Sequence, residues 1–146
     1  MKNFRCDCPI TSAIDIIGDK WILVLVKQML FEEKQTFKDF TESNEAIATN
    51  ILTTKLKLLT ELEIVKKSKL PHNKKSIYYH LTDRGLSLTS IIVELAIWSG
   101  ENIRDLNTNM TGNDKLDTIK ANKNEFIKTI IANYKENISK TMFIES

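Results

Sequence analysis

Ala48-Thr49-Asn50-Ile51-Leu52-Thr53-Thr54-Lys55-Leu56-Lys57-Leu58-Leu59-Thr60-Glu61-Leu62 is the stretch on which the fold turns. Leu52, Leu56, Leu59 and Leu62 recur at three- and four-residue steps, the spacing of one helix face, with Ile51 and Leu58 at its flanks. Asn50, Thr53, Thr54 and Lys57 recur at the same steps on the opposite face. That second face is small, hydrogen-bonding and cationic, and no acid interrupts it before Glu61. Such a helix packs by its leucines and meets a polar partner with the rest.

The neighbouring segments give this helix its context. On the C-terminal side, Ile64 to Leu70 is β-prone, Pro71-His72-Asn73-Lys74-Lys75 is a turn, and Ile77, Tyr79 and Leu81 alternate with Tyr78 and His80. The pattern predicts a β-hairpin with a basic tip. Between Ile64 and His80 stand five lysines, Lys66, Lys67, Lys69, Lys74 and Lys75, and no Asp or Glu. On the N-terminal side, Thr36 caps a short helix over Phe37–Glu42, and the polar loop Ser43–Glu45 joins the two helices.

Further out, Thr11 or Ser12 caps a short helix through Ile17 that Gly18 ends, and a second helix runs from Lys20 to about Phe31. Its residues Trp21 to Val26 are apolar all round, which marks a central, buried element. After the hairpin, Thr82 caps a long helix to about Gly100, with Leu88, Ile91, Ile92, Leu95 and Trp98 on one face. A polar connection, Asn102–Gly112, leads to a last amphipathic helix from Asn113 to about Ile138. Trp21 and Trp98, on apolar faces, are expected in the core.

Composition agrees with a helical chain. Four glycines and two prolines in 146 residues are too few for the tight turns of a sandwich or barrel. A net charge of +2 says little about partners. The longest apolar run, Trp21 to Val26, is far short of the ~18 residues of a membrane span. Met1 to Pro9 lacks the apolar core of a secretory signal, so a cytoplasmic protein without a membrane partner is expected. Cys6 and Cys8 exclude a disulfide framework, and Cys-Asp-Cys is tighter than a zinc-binding pair, so His72 and His80 are not read as ligands. No Gly-rich phosphate loop, Ser-His-Asp set or paired catalytic carboxylates stand out. We therefore expect no enzyme, no catalytic residue, no metal and no cofactor.

Two short helices joined by a tight polar turn and followed by a basic hairpin make a winged helix-turn-helix. The expected fold class is mainly α with a small β-hairpin, with N- and C-terminal dimerisation helices. An α-helix fits the major groove of B-DNA, where Asn, Thr and Lys read base edges or grip phosphates. Lysines on the hairpin would lie along the neighbouring backbone and release its counterions. Free N–H groups at the start of the Thr36 helix suit a phosphate. Alone, a polar helix face is ordinary solvated surface, and lysines on a hairpin are ordinary edge protection; their order along the chain points to double-stranded DNA. The alternative is a winged-helix protein-interaction module working through the helix that ends at Trp98 and the C-terminal tail.

The segments Cys8-Pro9, Gly18-Asp19-Lys20-Trp21, Phe37-Lys38-Asp39-Phe40, Leu52-Thr53-Thr54-Lys55-Leu56-Lys57-Leu58-Leu59, Tyr79-His80-Leu81-Thr82-Asp83-Arg84-Gly85 and Trp98-Ser99-Gly100, in this order, resemble the HxlR-type (DUF24) transcriptional regulators. These are winged-helix proteins related to the MarR group, and the resemblance covers about Cys6 to Glu101. It implies a homodimer on an inverted-repeat operator, with recognition by the fourth helix and the wing. Asn50, Thr53, Thr54 and Lys57, with Thr49 beside them, match the recognition face; Lys74 and Lys75 match the wing. Thr36 and Lys38 match the helix start that touches the backbone, though Thr36 serves equally as a plain cap. Residues 1–101 are read as the winged domain and 102–146 as a C-terminal helical extension.

Three departures stand out. Asp19 replaces a glycine, with no functional consequence expected. Ala48 stands where a Ser or Thr caps the recognition helix, which weakens the cap by about 1 kcal/mol unless Glu45 or Thr49 takes over. The tail from about Arg104 is longer than usual and is expected to fold back as a dimerisation or packing helix. The apolar stripes of the Thr82–Gly100 helix and the tail exceed what one small core needs. A C2 pair would bury them and set two recognition helices ~34 Å apart.

Cys8 precedes Pro9 and a helix start, where N–H groups favour a thiolate. Lys2, Arg5 and Lys20 add cations nearby in sequence and Asp7 opposes them. In several members of the resembling family the cysteine before this proline senses electrophiles or oxidants. The plain reading is a small, half-buried cysteine that closes the N-terminal packing.

Overall fold

Proline at the first position of a helix loses nothing, because that N–H has no intrahelical partner. In the computed structural model, which describes residues 3–70 and 73–143 without the side chains at 74, 142 and 143, α1 accordingly starts at Pro9 (Pro9–Ile17) with Cys8 as its N-cap residue. The hydroxyls of Thr11 and Ser12, expected as caps, fall inside its first turn. Gly18 ends the helix; a Cβ there would sit 2.3 Å from the Ile14 carbonyl oxygen.

Asp19 then accepts the N–H groups of Trp21 (2.7 Å) and Ile22 (2.9 Å) and so starts α2 (Ile22–Glu32). As the all-round apolar pattern requires, α2 is central, with Ile22, Leu25, Val26, Met29 and Leu30 buried. The short α3 (Phe37–Thr41) has a complete capping box: Thr36 Oγ1 accepts the Asp39 N–H, and the Asp39 carboxylate accepts the Thr36 N–H. A turn through Ala46, at φ 54°, leads to α4 (Thr49–Glu61). Ala48 gives α4 no side-chain cap. Glu45 does not take over, because its carboxylate accepts from Lys27 Nζ and Gln28 Nε2.

β1 (Val65–Leu70) and β2 (Asn73–Leu81) pair antiparallel, with Val65 opposite Leu81 and Lys67 opposite Tyr79. Pro71 and His72, read as part of the turn, lie outside the described residues. The helix expected from Thr82 to Gly100 is two helices, α5 (Asp83–Leu86) and α6 (Thr89–Asn102). α6 turns Thr89, Ile92, Val93 and Ile97 inward. Trp98, expected in the core, is 56% exposed, and Leu95 46%. α6 is apolar nearly all round, so periodicity could not choose its inner face.

The final helix is also divided. A single 3-10 turn (Asn113–Lys115) precedes α7 (Leu116–Ala121) and α8 (Lys123–Phe143), broken at Asn122. α8 folds back onto α6 and α2, placing Ile130, Ile131, Tyr134 and Ile138 against the core. Arg104 braces the connection by donating to the carbonyls of Gly100, Met110 and Thr111. Among the described residues no helix is long and apolar enough to cross a membrane.

Candidate nucleic-acid interface

The two faces of α4 separate as the spacing predicts. Leu52, Leu56 and Leu59 are buried, while Thr49, Asn50, Thr53, Thr54 and Lys57 are exposed. The threonines are not free rotors. Thr53 Oγ1 donates to the Thr49 carbonyl (2.9 Å), and Thr54 Oγ1 donates to that of Asn50 (3.1 Å). With those protons committed, both hydroxyls present an acceptor and a methyl outward. That chemistry suits the amino groups of adenine and cytosine or the methyl of thymine. Asn50 offers donor and acceptor together, as a bidentate contact to adenine requires.

The hairpin stands beside this face. Thr53, Lys57 and Thr60 of α4 share a cleft of about 540 Å³ with Phe37, Tyr79 and Lys67 of β1. Lys67 is not among the site residues that the sequence singled out. Its signal in the sequence was only its charge, as one of five hairpin lysines; the fold places it opposite Tyr79. A second, shallower depression of about 430 Å³ brings Thr36 and Lys38 together with Lys75, over Phe37, Ile77 and Tyr79. The Thr36 side chain serves as the helix cap, and the exposed Lys38 ammonium lies 3.9 Å from Glu42, an ion pair worth little in water. Lys75 is exposed; the Lys74 side chain lies outside the described residues.

Lys55 does not belong to this surface. Its ammonium reaches back 2.8 Å to Asp19 and ties α4 to the start of α2. Partial burial works against the charged Asp19 carboxyl. Lys55 and the N–H groups of Trp21 and Ile22 outweigh it and hold the group below the usual carboxylate range. Asp19 therefore has a structural role that its deviation from the family pattern did not suggest. His80 is 3% exposed, with Nε2 3.2 Å from Gln35 Oε1. Burial, with the nearby Lys66 charge, holds it below the usual histidine range.

Cys8 is exposed rather than half-buried, as is Cys6. It makes no full capping hydrogen bond. The N–H of Thr11 foremost, then the Thr11 hydroxyl and the Ile10 N–H, still favour the thiolate and hold its pKa below the usual thiol range. Of the expected cations, Arg5 is paired with Asp15 at 2.8 Å and Lys20 lies over the Trp21 ring; Lys2 is outside the described residues.

Known proteins resemble this arrangement. The family model described as HxlR-like helix-turn-helix matches residues 16–107. The HTH-type transcriptional regulator YodB of Bacillus subtilis (strain 168) is 30% identical over 95 residues, covering 64% of this chain and 84% of YodB. The reduced form of YodB superposes with a TM-score of 0.56 at 26% identity, over 68% of this chain and 98% of that one. The redox regulator HypR in its reduced form gives 0.59 at 27% identity, over 69% and 99%. YodB is also known in quinone-bound and diamide-treated forms.

Proposed function

The chain belongs to the HxlR-like helix-turn-helix family, whose relatives here are transcriptional regulators, and from that premise we propose that it binds an inverted-repeat operator as a homodimer. The observation that carries this reading is the exposed Asn50, Thr53, Thr54 and Lys57 face, flanked by Lys67 of the hairpin, with Lys75 beside Thr36 and Lys38. In the complex, α4 enters the major groove. Asn50 reads adenine, Thr53 and Thr54 accept from amino groups or meet methyls, and Thr49 lies at the helix start beside the backbone. Lys57, Lys67, Lys74 and Lys75 neutralise phosphates, and Lys38 joins Lys75 on the adjacent strand. Among the apolar groups left outside the core, Ile10 and Ile14 on α1 and Ile91, Leu95 and Trp98 on α6 supply the dimer contact.

Salt dependence tests this reading against the protein-adaptor alternative. A DNA binder loses affinity for duplex steeply as salt rises. An adaptor shows neither duplex binding nor that slope.

A second reading concerns control, and the exposed Cys8 favours it. Its thiolate adds to a quinone ring carbon, forming a C–S bond and leaving a hydroquinone. Alternatively, diamide takes two electrons and two protons from two thiols and joins them as a disulfide. A bridge within Cys6-Asp7-Cys8 is strained, so the second thiol comes from another copy or from a small thiol. Either modification at the start of α1 shifts the dimer and changes the spacing of the recognition helices.

A further inference from the structure

Resting on the DNA-binding reading above, we propose that Tyr134 is a positioning residue for DNA binding: from the C-terminal helix it pins the root of the wing so that the hairpin lysines stand beside α4. The observation lies on the outer edge of β2. β1 occupies one edge of that strand. On the other, the Tyr79 N–H donates to the Gln35 carbonyl just before α3, at 2.7 Å. The Leu81 N–H donates to the Tyr134 hydroxyl oxygen at 2.8 Å, across 53 positions of sequence. A buried edge N–H needs an acceptor, and here that acceptor comes from α8. The Tyr134 side chain is 7% exposed; burial pushes its pKa up to about 12, so it remains a neutral phenol.

α8 can serve as an anchor because it is itself held. Asn137 Nδ2 donates to Glu33 Oε1 at the end of α2 (2.9 Å), and Lys123 of α8 pairs with Glu94 of α6. Lys120 of α7 pairs with Glu101 at 2.6 Å. The helix is thus fixed to the body of the molecule and reaches the wing through the Tyr134 hydroxyl. The residues that α7 and α8 contribute to this clasp, Lys120, Lys123, Tyr134 and Asn137, lie beyond residue 107, where the family match ends. From Leu81 the strand runs out to Lys75, and six residues of strand make a lever of about 20 Å. A tilt of about 10° at its root moves the tip by roughly 3 Å, enough to separate a lysine ammonium from the phosphate it would pair with.

Tyr134→Phe deletes the hydroxyl and keeps the ring. The expected result, read by anisotropy on a random duplex, is roughly fivefold weaker binding and a salt dependence shallower by about one neutralised phosphate. Hydrogen exchange at the Leu81 amide should quicken. In a Lys67→Ala, Lys74→Ala, Lys75→Ala background the same change should weaken binding no further, because the hairpin groups it positions on phosphates are gone. An unchanged affinity and salt slope, even with a lowered melting temperature, would overturn the proposal and leave Tyr134 a packing residue. So would an equal loss in that triple-alanine background. Wild-type protein that bound no duplex at any salt would instead overturn the DNA-binding reading, and this inference with it.

Discussion

Asp19→Ala separates two jobs that one carboxylate performs. Asp19 accepts two N–H groups at the start of α2, a capping arrangement worth about 1 kcal/mol. It also receives Lys55 of α4 at 2.8 Å; with both side chains partly exposed, that pair is worth about 0.5 kcal/mol after screening. The expected loss is therefore about 1.5 kcal/mol, or a fall in melting temperature of roughly 5 °C for a chain of this size. Asp19→Asn keeps a capping oxygen and should lose only the ionic part. Because the folded carboxyl lies below its usual range, its charge stabilises the fold above the unfolded pKa of about 3.9. That contribution disappears as pH falls through the lower folded value. Urea denaturation of wild type, Asp19→Asn and Asp19→Ala at neutral and acid pH measures all of this. A deficit for Asp19→Ala within a few tenths of a kcal/mol of zero at neutral pH would refute the reasoning. So would a wild-type advantage over Asp19→Asn that did not shrink in acid.

Other expected outcomes are independent of that pair. Ala46→Gly removes a side chain held at φ 54° in the turn between α3 and α4, and should raise stability in urea by about 0.5 kcal/mol. Trp98→Glu charges an exposed apolar group; sedimentation should show a monomer with little change in melting temperature, and an intact dimer would place the interface elsewhere. After diamide or quinone, wild type and Cys6→Ser should change operator affinity while Cys8→Ser does not; an unresponsive wild type would remove the sensing role.

The parts legible in the sequence are those governed by short-range periodicity. Both faces of α4 follow from its three- and four-residue steps, and the hairpin from alternation around a basic tip. Thr36 and Asp39 stand three apart, the spacing of the capping box that forms. What escaped depends on choices that periodicity leaves open, or on partners distant in sequence. α6 is apolar nearly all round, so tertiary packing decided that Ile92, Val93 and Ile97 go inward and Trp98 stays out. Pro9 set the start of α1 ahead of the nearby hydroxyls. The division of the tail at Asn122 left the apolar spacing of α8 intact and so gave no signal. Asp19 with Lys55, and Leu81 with Tyr134, are joined across 36 and 53 positions, beyond any local pattern. Lys67 was visible as a charge but not as a neighbour of Lys57, which required the hairpin to be folded against α4.

The most direct test of the central claim is selection of bound duplexes from a random-sequence pool, run in parallel with wild type and Asn50→Ala. The account predicts that wild type enriches an inverted repeat with half-sites about one helical turn apart. Asn50→Ala should lose about 1–3 kcal/mol on that sequence and relax its preference at one position in each half-site. Failure of the wild-type protein to enrich any sequence, or an Asn50→Ala variant that selects the same repeat with the same affinity, would contradict it.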